Sequence, residues 1–231
     1  MPKPKISDGL IAKFWELHAD LGSYEKAWHA LQDWSEAEGA KRGLRNPGQG
    51  WNSASGIAFE EICVKIIKDR VAESSISHLV KVARWKDTPQ EIRLGILSEL
   101  VWLKGPTPKA ETAESNVDVV AVLRDDSQIT RVVSVYSCKS SVAERYQQDL
   151  FWAEKLKARG IRFCFATIDA NFVNHATGRH PADDPTKAVI LAQALYDRVY
   201  LVTGDAIVQN PLVFKPIEDV SSDLDMWLKA Y

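Results

Sequence analysis

The sequence predicts an α/β (α+β) fold, a central mixed β-sheet flanked by helices, with a helical region at the N-terminus. Three observations predict it. Helical periodicity dominates up to about residue 72, with apolar residues recurring every three to four positions. After about residue 115 the apolar runs follow the order strand-strand-helix-strand-helix-strand, which implies a mixed sheet with helices packed on it. Residues 161–168 are nearly all apolar, the mark of a strand buried on both faces.

Residues 6–20 carry Leu10, Ile11, Phe14, Trp15 and Leu17 at helical spacing, and Gly22 breaks the pattern. Ser23 can cap a second helix, with Lys26 where a capping box would put Glu. That helix carries Tyr24, Ala27, Trp28, Leu31 and Trp34 to about Gly39, an aromatic stripe suited to packing between two helices. Residues 40–52 form a Gly- and Pro-punctuated loop with Lys41, Arg42 and Arg45. Such a loop suits contact with a phosphate backbone, or equally a solvated linker. The domain division expected is a helical region with its basic loop, residues 1–52, and a core, residues 53–231.

Ser53 or Ser55 then caps a helix over residues 55–72, with Ile57, Glu60, Val64, Ile67 and Val71 on one face, flanked by Phe59, Cys63 and Ile66. Glu60 therefore points to the apolar side and needs a partner, a metal or a lysine, whereas Glu61 shares the outer side with Lys65 and Lys68. A strand is expected near 79–83, a turn at 87–89, and either helix or strand through 92–103. Residues 115–123 and 132–139 read as a hairpin around a turn at 124–127. A helix from about 142 to 158 follows, marked by Leu150, Ala153 and Leu156 and ended by Gly160. After the strand at 161–168 come a polar loop over 170–185, a helix over 186–196, a strand over 199–202 and a helix over 222–229.

The 231 residues carry a formal net charge of −2, so any basic surface is local. Three widely spaced cysteines, Cys63, Cys138 and Cys164, argue against a disulfide framework or zinc site and fit a reducing cytoplasm. The five histidines lack metal-ligand spacing; His175 and His180 lie in the polar loop. No apolar run approaches the roughly 18 residues of a membrane span, no signal peptide is visible, and no phosphate-binding glycine motif points to a nucleotide cofactor.

The chemistry concentrates in the hairpin. Asp118 sits inside an apolar run, and Lys139 ends the next one, on the face expected to carry Val133, Val135 and Ser137. An unpaired charge away from water costs several kcal/mol or shifts its pKa, so the two are expected to meet. The bland outcome is a salt bridge at a sheet end. The functional one is a site where the aspartate holds a hard cation such as Mg²⁺ and the lysine positions water or stabilises charge on a phosphate. Metal and lysine together suit phosphodiester hydrolysis without a covalent nucleophile.

This arrangement resembles the PD-(D/E)XK nuclease superfamily, over residues from about 55 to 170. Gly56-Ile57-Ala58-Phe59-Glu60 matches the family's upstream Gly-x-x-Phe-Glu setting. The triplet Ser137-Cys138-Lys139 has serine where the family has an acid, and Val117 stands in place of proline. Ser-Cys-Lys occurs in one branch of type II restriction endonucleases, including CCGG-core cutters, where a glutamate of the following helix supplies the missing acid. Here that helix offers Glu144, Asp149 and Glu154. The resemblance implies Asp118, Glu154 and Glu60 as Mg²⁺ ligands, with Glu154 preferred to Glu144 for the missing acid, and Lys139 and Ser137 as further catalytic-site members. The run after Lys139 is similar to the Lys-x-Ser-x-x-Glu-Arg sequence of several such enzymes. Ser141 can cap the helix, Arg145 bond guanine, Glu144 accept from cytosine, and Gln148 bond adenine. Alternatively these are solvated helix residues. The implied protein is a cytoplasmic homodimer that cuts double-stranded DNA at a short palindromic GC-containing site, with Lys41, Arg42 and Arg45 on the backbone. A non-catalytic DNA-binding module on the same fold, or a repair or modification-dependent nuclease, is the alternative.

Overall fold

The computed structural model describes residues 6–87, 101–104, 111–114, 117–125, 128–141, 146–177, 187–203 and 212–230. Three helices lead the chain: α1 (Ile6–Leu21), α2 (Tyr24–Lys41) and α3 (Pro47–Ala72). Gly22, at φ 63°, makes the turn between the first two, a conformation that glycine adopts without a Cβ penalty. Ser23 caps α2, its Oγ accepting the Lys26 amide at 3.4 Å. The aromatic stripe is the inter-helix core: Trp28 packs on Phe14, Trp51 and Phe59.

α3 begins at Pro47 rather than at 55, so the expected loop shrinks to a short connection. Proline suits the first helical turn, and burial of Trp51 against Trp28 at 5.0 Å rewards the early start. The helix runs unbroken through residues 52 and 53. Its buried face carries Phe59, Ile62, Cys63 and Ile66 together with the expected Val64, Ile67 and Val71, whereas Ile57 is exposed. The apolar face is thus broader than expected, and Glu60 is only partly buried on it.

The main sheet has six strands in the order β1-β4-β5-β6-β7-β8. These are β1 (Val80–Arg84), β4 (Val119–Asp125), β5 (Gln128–Lys139), β6 (Arg162–Thr167), β7 (Arg198–Leu201) and β8 (Phe214–Pro216). β4 runs antiparallel to both its neighbours, β1 and β5, and β5 to β8 are parallel, so the sheet is mixed. Strands β2 (Val101–Lys104) and β3 (Glu111–Glu114) form a separate antiparallel pair. Between β5 and β6 lies α4 (Tyr146–Lys157); α5 (Ala170–Thr177) and α6 (Lys187–Leu195) lie between β6 and β7; α7 (Val220–Lys229) closes the chain.

Each face of the sheet has its own core. One joins α1, α2, α3 and α7 to Val119, Ala121, Tyr136, Cys138, Cys164 and Tyr200. The other joins α4, α5 and α6 to Val120, Val122, Val135, Phe163, Phe165 and Leu201. The all-apolar run 161–168 follows from this, because alternate residues of β6 face opposite cores.

The hairpin differs from expectation in one way that matters. Ala121 pairs with Ser134 but Val122 pairs with Val132, leaving Val133 as the extra residue of a β-bulge. Val133 therefore faces the α3 core, not the face of Val135. Asp118 is not interior to its strand either. It sits just before β4, donating its N–H to Tyr136 O and accepting the Trp85 N–H at its carbonyl, both at 2.9 Å.

Two further elements were not expected. The polar stretch 170–185 contains α5, whose first turn is capped by Asp169 Oδ1 accepting the Phe172 N–H at 3.0 Å, and which buries Phe172, Val173 and Ala176. β8 is a three-residue edge strand ending in Pro216, as strand prolines tend to be placed. The part of 92–103 that is described, residues 101–104, is strand; residues 92–100 lie outside the described residues. No helix among the described residues is long and apolar enough to cross a membrane.

Candidate active site

The end of β5 and the entrance of β4 lie side by side, and this brings Lys139 onto Asp118. Asp118 Oδ2 accepts from Lys139 Nζ at 2.7 Å and from the Cys138 backbone N–H at 2.7 Å. The two side chains are only 9% and 12% exposed, so their charges meet where water screens little. Cys138 projects to the opposite face, against Cys63 of α3. Contact with the Cys63 thiol, and then burial, push the Cys138 thiol well above its ordinary pKa. It is a neutral packing group rather than a nucleophile.

Glu60 of α3 faces the same place. It lines a cleft of 340 Å³ with Asn52, Ser55, Gly56, Cys138, Lys139, Ser140 and Ser141. Lys86, in the turn after β1, pairs with its carboxylate at 2.7 Å. Burial raises the Glu60 pKa, the Asp118 charge adds to this, and Lys86 and Lys139 oppose it. Glu61, one residue on, turns outward to Arg84, as its helix position requires.

The third carboxylate is Asp149 of α4, which is 1% exposed. The Tyr196 hydroxyl donates to its Oδ2 at 2.6 Å. Its Oδ1 is buried and, like the neighbouring Ser137 Oγ, makes no hydrogen bond of good geometry among the described residues, although the Ser137 hydroxyl lies near enough to favour the charged carboxylate. Burial raises the Asp149 pKa; Tyr196, Ser137 and Lys139 draw it back, and the Asp118 charge raises it further. Asp149 therefore shares one electrostatic site with Asp118 and Lys139.

Glu154, the favoured helix acid from sequence, is exposed on α4. Five residues separate it from Asp149, about 140° around a helix, and the buried face of α4 carries Trp152, Ala153 and Leu156 with Asp149. Asp149 is thus the acid on the buried face of α4, and Glu154 the one turned to solvent. A signal was present: Asp149 stands three and four positions before Trp152 and Ala153, the spacing that shares a helix face.

The other expected site residues fall as follows. Ser137 is fully buried on the face of Lys139. Ser141 is exposed at the cleft. Glu144 and Arg145 lie outside the described residues, as does the side chain of Gln148. Lys41, Arg42 and Arg45 are exposed around the α2–α3 connection, and Lys41 pairs with Glu38 at 2.7 Å. That connection leads into the turn of α3 that supplies Asn52 and Ser55 to the cleft.

Three carboxylates are oxygen donors of the kind hard divalent cations take, and the unpartnered Asp149 Oδ1 fits such a ligand. As they stand, no three acidic, histidine or cysteine side chains among the described residues converge tightly enough to grip an ion. Lys139 and Lys86 hold Asp118 and Glu60 instead.

A mixed sheet with a buried acid–lysine pair at its end is the arrangement that the nuclease resemblance implies. The family model for BsaWI restriction endonuclease type 2 matches residues 94–226, more than half of the chain, and the chain belongs to that family. It is therefore a type II restriction endonuclease, a site-specific DNA endonuclease, and such enzymes generally use a divalent metal ion. Among solved structures, restriction endonuclease AgeI in a specific complex with DNA is similar, with a TM-score of 0.63 and 15% identity over 97% of this chain and 86% of that one. BsaWI in a pre-specific DNA complex matches with a TM-score of 0.43 and 14% identity over 97% and 94%. The AgeI likeness reflects a common fold. No curated protein matches the chain.

Proposed function

We propose that this endonuclease hydrolyses phosphodiester bonds of double-stranded DNA with Mg²⁺ at a short palindromic GC-containing site. Asp118, Asp149 and Glu60 are its metal ligands, and Lys139 is its catalytic cation. The observation that carries this is the buried Asp118–Lys139 pair with a second, unpartnered carboxylate oxygen beside it on Asp149. Once bound, the ion polarises the phosphoryl oxygen and lowers the pKa of the attacking water. Lys139 orients that water and balances the charge that grows on the phosphate. Ser137 has a neutral hydroxyl and cannot supply the carboxylate of the triplet. It leaves room on the β5 face for the Asp149 carboxylate, which supplies the acid instead. Glu154 has no part in this scheme.

Ser141 lies at the cleft and so is placed to touch DNA entering it. We assign base reading to Glu144 and Arg145, which precede α4 in the sequence, and to Gln148 of its first turn, and backbone contacts to Lys41, Arg42 and Arg45. Cutting both strands of a palindrome calls for two sites related by a two-fold axis, hence a homodimer. In this scheme residues 1–52 flank a nuclease core of residues 53–231, acting in the cytoplasm.

The test is cleavage of plasmid DNA with Mg²⁺ by wild type, Asp118→Asn, Asp149→Asn and Glu154→Gln. Discrete fragments from wild type and Glu154→Gln are expected, with rates within about twofold, and losses of about 10²-fold or more for the other two, as for groups that act directly at the reacting phosphate. Full activity of Asp149→Asn together with loss in Glu154→Gln would reverse the assignment.

A further inference from the structure

The Asp149 carboxylate is held by a hydroxyl from a third element. Tyr196 follows α6 and is 3% exposed. Its ring stacks on Phe165 at 5.0 Å and 19°, and leans on Phe163 at 5.1 Å. Phe165 is the β6 residue that pairs with Ser137. The ring is thus fixed on β6, the strand that pairs with the Ser137–Lys139 end of β5, and its hydroxyl cannot swing away without opening the core. The 2.6 Å bond to Asp149 Oδ2 has the length of a charge-assisted O–H···O⁻ bond. It engages one carboxylate oxygen and leaves the other, Oδ1, with no well-formed hydrogen bond among the described residues and only the Ser137 hydroxyl nearby.

We infer that Tyr196 is a positioning residue for metal binding: its hydroxyl clamps Asp149 Oδ2 and so fixes the rotamer that leaves Oδ1 free for a divalent cation at the Asp118–Lys139 end of the sheet. The inference rests on reading Asp149 as a ligand. Groups that orient a ligating carboxylate from behind are worth about 10- to 100-fold in metal affinity. A tyrosine that merely filled the core would act on metal-free stability and leave the metal response alone.

Tyr196→Phe keeps both ring contacts and removes only the hydroxyl. It is compared with wild type, Asp149→Asn and the double variant. Binding of Ca²⁺ in the absence of DNA is followed by calorimetry and by the rise in melting temperature with Ca²⁺. The Mg²⁺ concentration for half-maximal cleavage is measured alongside. The expected result is about a 10- to 100-fold weaker Ca²⁺ affinity for Tyr196→Phe and a matching shift of the Mg²⁺ curve, with a smaller change in the rate at saturating Mg²⁺. Because Tyr196 acts through Asp149, the double variant binds no more weakly than Asp149→Asn alone. Wild-type Ca²⁺ affinity in Tyr196→Phe, with affinity lost in Asp149→Asn, overturns the role of Tyr196 and leaves Asp149 a ligand. Wild-type affinity in Asp149→Asn overturns both.

Discussion

Replacing Lys139 by methionine tests whether the Asp118–Lys139 contact is a buried ion pair on which the site rests. The substitution keeps most of the side-chain volume and deletes the charge that lies 2.7 Å from Asp118 Oδ2. Removing one partner of a buried pair costs about 3–5 kcal/mol, because the other charge stays buried and uncompensated. Asp118 retains the Cys138 N–H on the same oxygen and a little solvent, so the lower end, about 3 kcal/mol, is expected. For a chain of this length that is a fall in Tm of about 6–12 °C. Asp118→Asn should cost less, since Asp149 and Glu60 still balance Lys139. The double variant Asp118→Asn/Lys139→Met, with neither charge, should recover most of the loss. The assay is urea unfolding of the four proteins in EDTA. A Lys139→Met protein within about 0.5 kcal/mol of wild type, the range of an ordinary surface change, would refute the reasoning. So would a double variant as unstable as Lys139→Met.

Two further predictions concern stability away from the site. Asp223 of α7 is buried and accepts from Arg198 at 3.0 Å, Tyr200 at 2.9 Å and Lys215 at 2.8 Å. Asp223→Asn should therefore lower stability by about 3 kcal/mol with the Mg²⁺ dependence of cleavage unchanged; a shifted Mg²⁺ curve would tie that cluster to the active site. His18 stacks on Tyr24 at 4.3 Å, and burial lowers its pKa against the opposing pull of Glu218. A depressed histidine pKa means that the folded state binds fewer protons. Its stability is then full above the unfolded pKa of about 6.5 and falls as pH drops through the folded value. The difference in Tm between wild type and His18→Phe should change between about pH 7.5 and pH 5.5 in that sense, and parallel curves would exclude it.

What the sequence made legible was decided by patterns local to one element. The β4–β5 hairpin, the apolar β6 and the outward turn of Glu61 each follow from a period of two or 3.6 read over a few residues. The meeting of Asp118 with Lys139 follows from the cost of burying either charge alone. The bulge at Val133 was not legible, because valines 132, 133 and 135 are equally good at either face, and only pairing with β4 assigns them. The start of α3 at Pro47 depends on Trp51 finding Trp28, a contact between helices that no local pattern encodes. In α5, Phe172, Val173 and Ala176 did mark a helix face, but the polar residues around them concealed it. The resemblance implies Glu154 from its place after Lys139, whereas burial singles out Asp149 on α4, and that depends on how α4 packs on the sheet.

In the proposed scheme, with Asp149 as the acid, the serine of the triplet has a structural meaning. On a strand, an acid at 137 would sit fully buried two residues from Lys139, fixed by the pleat alone. Placing the acid on α4 instead makes its position depend on three elements: β5 leaves the space, α4 fills it, and Tyr196 from the turn before β7 holds it. Such an acid is set by how α4 packs on Phe163 and Phe165 as much as by its own rotamer. The helix that carries it is also the one whose first turn follows the proposed base-reading residues Glu144 and Arg145.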